Sequence, residues 1–278
     1  MMPSSRALPR PIALAALTVL DLDPPSMVLA AHEAGYSHVG LRLIPATPEE
    51  VRHDCVGDTP LFRETRARLD DTGVRAFDVE IFRLTPDTNV GDYRAALETG
   101  ARLGASHALV AGNDPDETRL TERFAAFCGV AADYAMTANL EPMPWTDVKG
   151  FIDGLRVVRN AAQRNGAVLI DAIHFDRAGG VAAQILEAPA NCLHYMQICD
   201  APAAQPTSLD ELLFQAREHR LLPGDGGLDL AGIVGALPRD LPVSVEIPRR
   251  ERSRSIGAFA HAREALDATL RWLDAHAR

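Results

Sequence analysis

Cysteine is scarce in this chain: Cys55, Cys128, Cys192 and Cys199 are scattered over 278 residues, and no two form a Cys-x-x-Cys pair. That spacing argues against a thiolate zinc site or a dithiol redox centre, and for free, buried thiols in a reducing cytoplasm. Long apolar runs are missing too, since nothing approaches the roughly 20 residues of a membrane-spanning helix. One run opens like a secretory leader, Ile12 to Leu20 behind Arg6 and Arg10. It is short and stops at Asp21-Leu22-Asp23-Pro24-Pro25, so it reads as a first buried strand. Positive charge is in deficit, with 28 Lys+Arg against 38 Asp+Glu and a net charge of -10. A field of that sign repels a phosphate backbone, so neither nucleic acid nor membrane is an expected partner. No low-complexity linker divides the chain, because the Pro/Ala-rich stretch Ala201 to Pro206 lies between a strand and a helix. Residues 1–278 therefore read as one domain, of a size that closed α/β barrels reach.

The hydrophobic content of 47% suffices for a large core. It is distributed in short runs: Ile12 to Leu20, His38 to Ile44, Val74 to Ile81, Ser106 to Ala111, Met136 to Leu140, Ala167 to Ile170, Cys192 to Ile198 and Val243 to Ile247. Continuous apolar runs of this length suit parallel strands buried on both faces. Helical segments alternate with them. Asp23-Pro24 and Thr59-Pro60 offer N-caps followed by proline, and Gly35, Gly73 and Gly104 offer stops. Further helices are expected over Thr121 to Tyr134, Phe151 to Arg164 and Ala258 to His276. Alternation repeated eight times predicts an α/β fold, a (β/α)8 TIM barrel. The stretch Asp200 to Leu228 is too long for a turn and is expected to be a lid or a mouth-lining loop.

In such a barrel the active site gathers at the C-terminal ends of the strands. The last four expected strands each end on a polar residue: Glu141, Asp171, Gln197 and Glu246. Taken singly, each acid is as readily a helix cap or the partner of an arginine such as Arg220. Together, three converging carboxylates would repel one another unless a cation lay between them. Oxygen donors of this kind select Mn2+, Mg2+ or Co2+ ahead of thiolate-loving metals, with Zn2+ still open.

These residues stand in the stretches Leu140-Glu141-Pro142, Ile170-Asp171-Ala172-Ile173-His174, Met196 to Pro202, His219 to Gly226 and Val245-Glu246-Ile247-Pro248. In their order and spacing the second half of the chain resembles the xylose-isomerase-like barrel superfamily. That superfamily holds sugar isomerases and epimerases, metal-dependent dehydratases and type IV apurinic endonucleases. The resemblance implies that Glu141 and Glu246 both ligate the metal and transfer protons, that Asp171 is a ligand, and that His174 and Arg220 contact substrate. One departure matters: the strand-seven ligand is usually histidine in the epimerases. Gln197 is instead associated with dehydratase-like members acting on 3-dehydroshikimate.

Chemically, a cation beside a carbonyl and its neighbouring hydroxyl lets a carboxylate remove the α-proton. Two flanking glutamates permit epimerisation, and loss of a β-hydroxyl would give dehydration with His174 as the acid. The expectation is an isomerase or epimerase of a small ketose or polyol ketone, with a dehydratase of a cyclic β-hydroxy ketone as the alternative. An apurinic endonuclease would need histidines at the ends of strands two and three, where Arg42 and Glu80 stand. Arg42, Glu80 and Arg83, near the ends of strands two and three, are expected to select the substrate, and Trp145, just after Glu141, to form an apolar wall of the pocket. Surface salt bridging and ordinary packing are the competing accounts. His32, His38, His53, His107 and His194 read as structural or surface residues, and His174 to Arg177 could be a solvated loop with an internal ion pair. The expected partner is a small carbonyl or polyol substrate. Relatives often dimerise or tetramerise, so a homo-oligomer is within the expectation, but no sequence feature fixes the copy number.

Overall fold

The computed structural model describes residues 10–276, which leaves Arg6 outside the described residues. Parallel strands form one sheet. They are β1 (Ile12–Leu14), β2 (His38–Arg42), β3 (Arg75–Leu84), β4 (His107–Gly112), β5 (Thr137–Glu141), β6 (Gly166–Val168), β7 (Ile170–Asp171), β8 (Met196–Ile198) and β9 (Val243–Val245). Each pairs with its sequence neighbour and β1 pairs with β9, so the sheet curls round until only β6 and β7 lack a pairing with each other. These two are halves of the sixth expected strand, interrupted at Leu169, whose N–H donates to Leu140 O at 2.8 Å. The result is the expected TIM barrel, closed across that break by the chain itself.

Helices wrap the outside where the sequence signals placed them. Asp23 accepts a hydrogen bond from Ser26 N at 3.0 Å and opens Pro24–Ala34, which stops at Gly35 with φ of 97°. Thr59 accepts from Phe62 N at 3.1 Å and opens Pro60–Thr72. Only a residue without Cβ takes the left-handed turn at Gly35 cheaply.

Several expected boundaries move. The run Ile12 to Leu20 is not one strand: β1 ends at Leu14 and a 3-10 turn, Ala16–Val19, follows. Thr18 explains the change, because its hydroxyl donates to Val245 O at 2.8 Å and accepts from Ile247 N at 2.9 Å, tying the turn to the end of β9. The helix expected at Thr121 begins at Glu117, capped by Asp116. The helix from Phe151 stops at Ala161, because Ala162 takes a left-handed conformation. Cys192 closes a 3-10 turn, Ala190–Cys192, and does not open a strand. The stretch Asp200 to Leu228 is no structureless loop, since it contains the helix Leu209–Glu218. His174 to Arg177 belongs to the short helix Ala172–Arg177, with His174 buried, though the Asp176–Arg177 ion pair is there at 2.5 Å.

Among the described residues no helix is long and apolar enough to cross a membrane. All four cysteines are free and buried.

The N-terminal end of the barrel holds a second polar layer. His107 Nδ1 lies 2.7 Å from Thr137 Oγ1 and its ring stacks at 6.2 Å from His194, which reaches Asn139 Oδ1 at 3.1 Å. Nearby, the Tyr195 hydroxyl donates to buried Asp78 at 2.9 Å. Burial, with His194 and His38 adding repulsion, pushes His107 down to about 3. A neutral imidazole in the fold and an ordinary one in the unfolded chain make stability complete above about pH 6.5, and it declines as pH falls toward the folded value. The slope is at most about 1.4 kcal/mol per pH unit. Denaturant melts at stepped pH should show His107→Gln flattening this acid limb; identical slopes in parent and variant would reject the assignment.

Candidate active site

The four strand-end residues point into one region at the C-terminal end of the barrel. Glu141 closes β5, Asp171 closes β7, Gln197 sits in β8 and Glu246 follows β9. All four are buried. Asp171 doubles as a helix cap: one carboxylate oxygen accepts from Ile173 N at 3.0 Å and His174 N at 3.2 Å. This holds His174 over the site, its Nε2 3.8 Å from Glu141 Oε1 and its ring edge-on to Trp145 at 4.8 Å between centroids.

Arg220 sits among these carboxylates. Its guanidinium meets Asp171 Oδ2 at 2.5 Å and Glu246 Oε2 at 2.7 Å, and it is only 1% exposed. The chain delivers it through a fixed turn. Asp200, just past β8, accepts from Gly224 N and Gly226 N at 3.0 Å each and from Leu228 N at 3.1 Å. A Cβ at Gly226 would fall 2.3 Å from Ala201 O, a backbone atom that cannot yield, so the second glycine of the Pro-Gly-x-Gly turn is required by close approach. Arg220 N donates to Pro248 O at 3.1 Å and its Nε to Ala216 O at 2.7 Å, which locks the side chain inward.

Burial and mutual repulsion set the charges. Burial, reinforced by Asp171, pushes Glu141 well above the usual carboxylate range. Burial does the same to Glu246, although Arg220 opposes it. Burial works against the Asp171 anion as well, but Arg220 and His174 outweigh it and hold this carboxyl low. His174, expected to titrate near neutrality, is pushed down to about 4 by burial and is a neutral imidazole. It can offer a polar N–H or lone pair, not a ready proton.

Donor chemistry suits a hard or borderline cation. Glu141, Asp171 and His174 offer ligand atoms within 4.8 Å of one another, and the buried Gln197 Oε1 has no partner while its Nε2 donates to Glu246 Oε1 at 2.9 Å. An unpartnered buried acceptor beside clustered carboxyls is a donor set that a hard or borderline cation fits. Because Glu246, raised by burial, must shed its proton to ligate, affinity for Mn2+ should rise with pH. Titrations near pH 5.5 and near pH 7.5 test this; equal affinities, or full metal stoichiometry in both Asp171→Asn and Glu246→Gln, would remove these residues from the ligand set.

A cleft of about 420 Å³ opens above the site, lined by Glu80, Glu141, Glu246, His174, Arg220 and Trp145 among others. Arg42 and Glu80 both face it. Register shifts in the pairing of β3 with β2 and β4 accompany this placement of Glu80, as bulges at barrel rims commonly re-aim side chains. Arg42 Nη1 meets Glu50 Oε2 at 3.3 Å and its Nε lies 3.6 Å from Glu80 Oε1, so its charge is already matched. Sequence reasoning passed over Glu50 and Arg217, which also line the cleft. Arg217 was hidden because its segment carries no strand-end signal, and only the helix Leu209–Glu218 turns it toward the mouth.

A family model described as xylose isomerase-like TIM barrel matches residues 28–276. The chain belongs to that family. Within the fold it shares, a solved structure described as IOLI protein with a bound zinc atom aligns at TM-score 0.79 and 16% identity, over 96% of this chain and 99% of that one. D-allulose 3-epimerase from Methylomonas sp. aligns at TM-score 0.68 and 18% identity, over 95% and 98%. By sequence, a 3-dehydroshikimate dehydratase of Pseudomonas aeruginosa is 30% identical over 120 residues, which is 43% of this chain and 17% of that protein. The chain thus spans a minor part of that curated relative. Family relatives are enzymes, with epimerases and a dehydratase among them.

Proposed function

We propose that this family member is a divalent-metal-dependent lyase that dehydrates a small cyclic β-hydroxy ketone of the 3-dehydroshikimate kind. The observation that carries the reading is the pair of buried carboxyls, Glu141 and Glu246, that line one cleft, with the amide of Gln197 at the strand-seven position donating to Glu246 from beneath it at 2.9 Å. The stretch of dehydratase similarity favours the lyase outcome. The zinc atom of the IOLI relative and the cluster of Glu141, Asp171 and His174 support a metal. A bound divalent cation would supply positive charge beside the substrate carbonyl, lowering the cost of the anion formed there.

Proton roles follow from contacts. Arg220 touches Glu246 at 2.7 Å and opposes the burial that raises its carboxyl, so of the two glutamates Glu246 is the one that ionises once a cation is bound, and it is the base that takes the proton next to the ketone. Glu141 has no such guanidinium contact and keeps a proton, which it hands to the departing β-hydroxyl as water leaves. The neutral His174, 3.8 Å from Glu141, orients the leaving oxygen. Asp171 fixes both His174 and Arg220.

A second reading, isomerase or epimerase of a ketose or polyol ketone, is favoured by the same two carboxyls, since removal at one and return from the other would invert a centre. An endonuclease gains no support, because Arg42 and Glu80 pair with each other where imidazoles would be needed.

Incubation with Mn2+ in deuterated water against ketoses, inososes and 3-dehydroshikimate decides. The expected result is loss of water from 3-dehydroshikimate with new ultraviolet absorbance. Deuterium at carbon without loss of mass would favour the second reading, and inertness toward the whole panel would overturn both.

A further inference from the structure

One part of the cleft carries guanidinium groups with no carboxylate beside them. Arg83, in β3, is held by neutral partners, its Nε donating to Ala46 O at 3.2 Å and its Nη1 to Asn113 Oδ1 at 3.0 Å. Arg217 lies with its Cζ 5.6 Å from the centre of the Trp145 ring. Among the described residues neither guanidinium has a carboxylate within 4.0 Å, whereas Arg42, Arg220 and Arg250, which line the same cleft, all do. Guanidinium groups can only donate, so Arg83 and Arg217 bring two positive charges with no anionic partner to the cleft wall, in a chain whose net charge is -10. Burial and the nearby Arg217 weigh against the Arg83 charge more than Glu141 and Glu50 favour it, a cost that an anion bound beside both arginines would reduce.

We propose that Arg83 and Arg217 form a carboxylate-binding subsite that orients a carboxylate-bearing substrate in the cleft of Glu141 and Glu246. The inference rests on the lyase reading and narrows its substrate to an acidic ring ketone. Planar guanidinium groups match a carboxylate's two oxygens. A single negative charge suits the site better than a phosphate dianion, because Glu49, Glu50 and Glu218 line the same mouth.

The test is isothermal titration of the full chain with Mn2+ present, using 3-hydroxybenzoate, its neutral amide 3-hydroxybenzamide, and 3-hydroxyphenyl phosphate. The carboxylate should bind at least about tenfold tighter than the amide. Arg83→Gln and Arg217→Gln should each bring that ratio to within about threefold, while Arg83→Lys should keep part of it. Melting temperatures check that the variants fold. Arg217, on a surface helix, provides the independent variant should loss of the Arg83–Ala46 bond disturb its loop. A preference that survives in both glutamine variants, an absent preference in the parent, or tighter binding of the phosphate would overturn the subsite. The two readings fail separately: a chain that dehydrates a neutral inosose and ignores the carboxylate probe keeps the lyase and loses the subsite. One that binds the carboxylate through both arginines but leaves 3-dehydroshikimate intact keeps the subsite and loses the lyase.

Discussion

Glu246→Gln should lower turnover by about a thousandfold, within the range that a positioned acid or base contributes. The carboxylate accepts from Gln197 Nε2 at 2.9 Å and from Arg220 Nη2 at 2.7 Å, so the substitution preserves volume but places an amide where both neighbours need an acceptor. Activity alone would not separate proton transfer from loss of the cation, and the measurement should be made at saturating Mn2+ with metal content determined. Exchange of the substrate α-hydrogen with solvent deuterium gives the sharper readout. If Glu246 is the base and Glu141 the acid, Glu246→Gln stops both exchange and product. Glu141→Gln stops product while exchange persists. Equal loss of both signals in the two metal-loaded variants would overturn the division of roles.

Arg220→Met should destabilise the metal-free chain by roughly 3–5 kcal/mol, the usual result of removing one partner from a buried ion pair. The cost arises because Asp171 and Glu246 lose their only close cationic partner among the described residues while staying buried. The protein can respond by taking up protons, so the loss should be largest at neutral pH and smaller in acid. A divalent cation provides another remedy. Mn2+ should therefore raise the melting temperature of the variant more than that of the parent, since binding to the folded state alone stabilises it. A variant as stable as the parent without metal would mean that the two carboxyls are neutralised by some other route. A variant indifferent to Mn2+ would separate these carboxyls from the metal site.

Much of this was legible in the linear chain. The barrel showed because strands buried on both faces must be apolar throughout, and such runs are conspicuous between amphipathic helices. Glu141, Asp171, Gln197 and Glu246 showed because a polar residue ending such a run needs a reason. Caps at Asp23 and Thr59 and stops at Gly35 and Gly73 are local chemistry, decided within a few residues, so they too could be read directly.

Tertiary structure alone decided the rest, because long-range proximity leaves no local trace. Arg220 reaches Asp171 across 49 residues of sequence, and nothing in its own segment says that it lies among acids instead of facing a substrate alone. The break of the sixth strand at Leu169 depends on closing the ring of strands, and the turn after Leu14 depends on Thr18 finding Val245. His174 illustrates the limit most clearly. Its spacing from Asp171 was visible, but its neutrality was not, because burial sets its protonation and only the folded barrel determines burial. The unpaired charges of Arg83 and Arg217 belong to the same class: a sequence records that a cation is present, and only the fold decides whether an anion stands next to it.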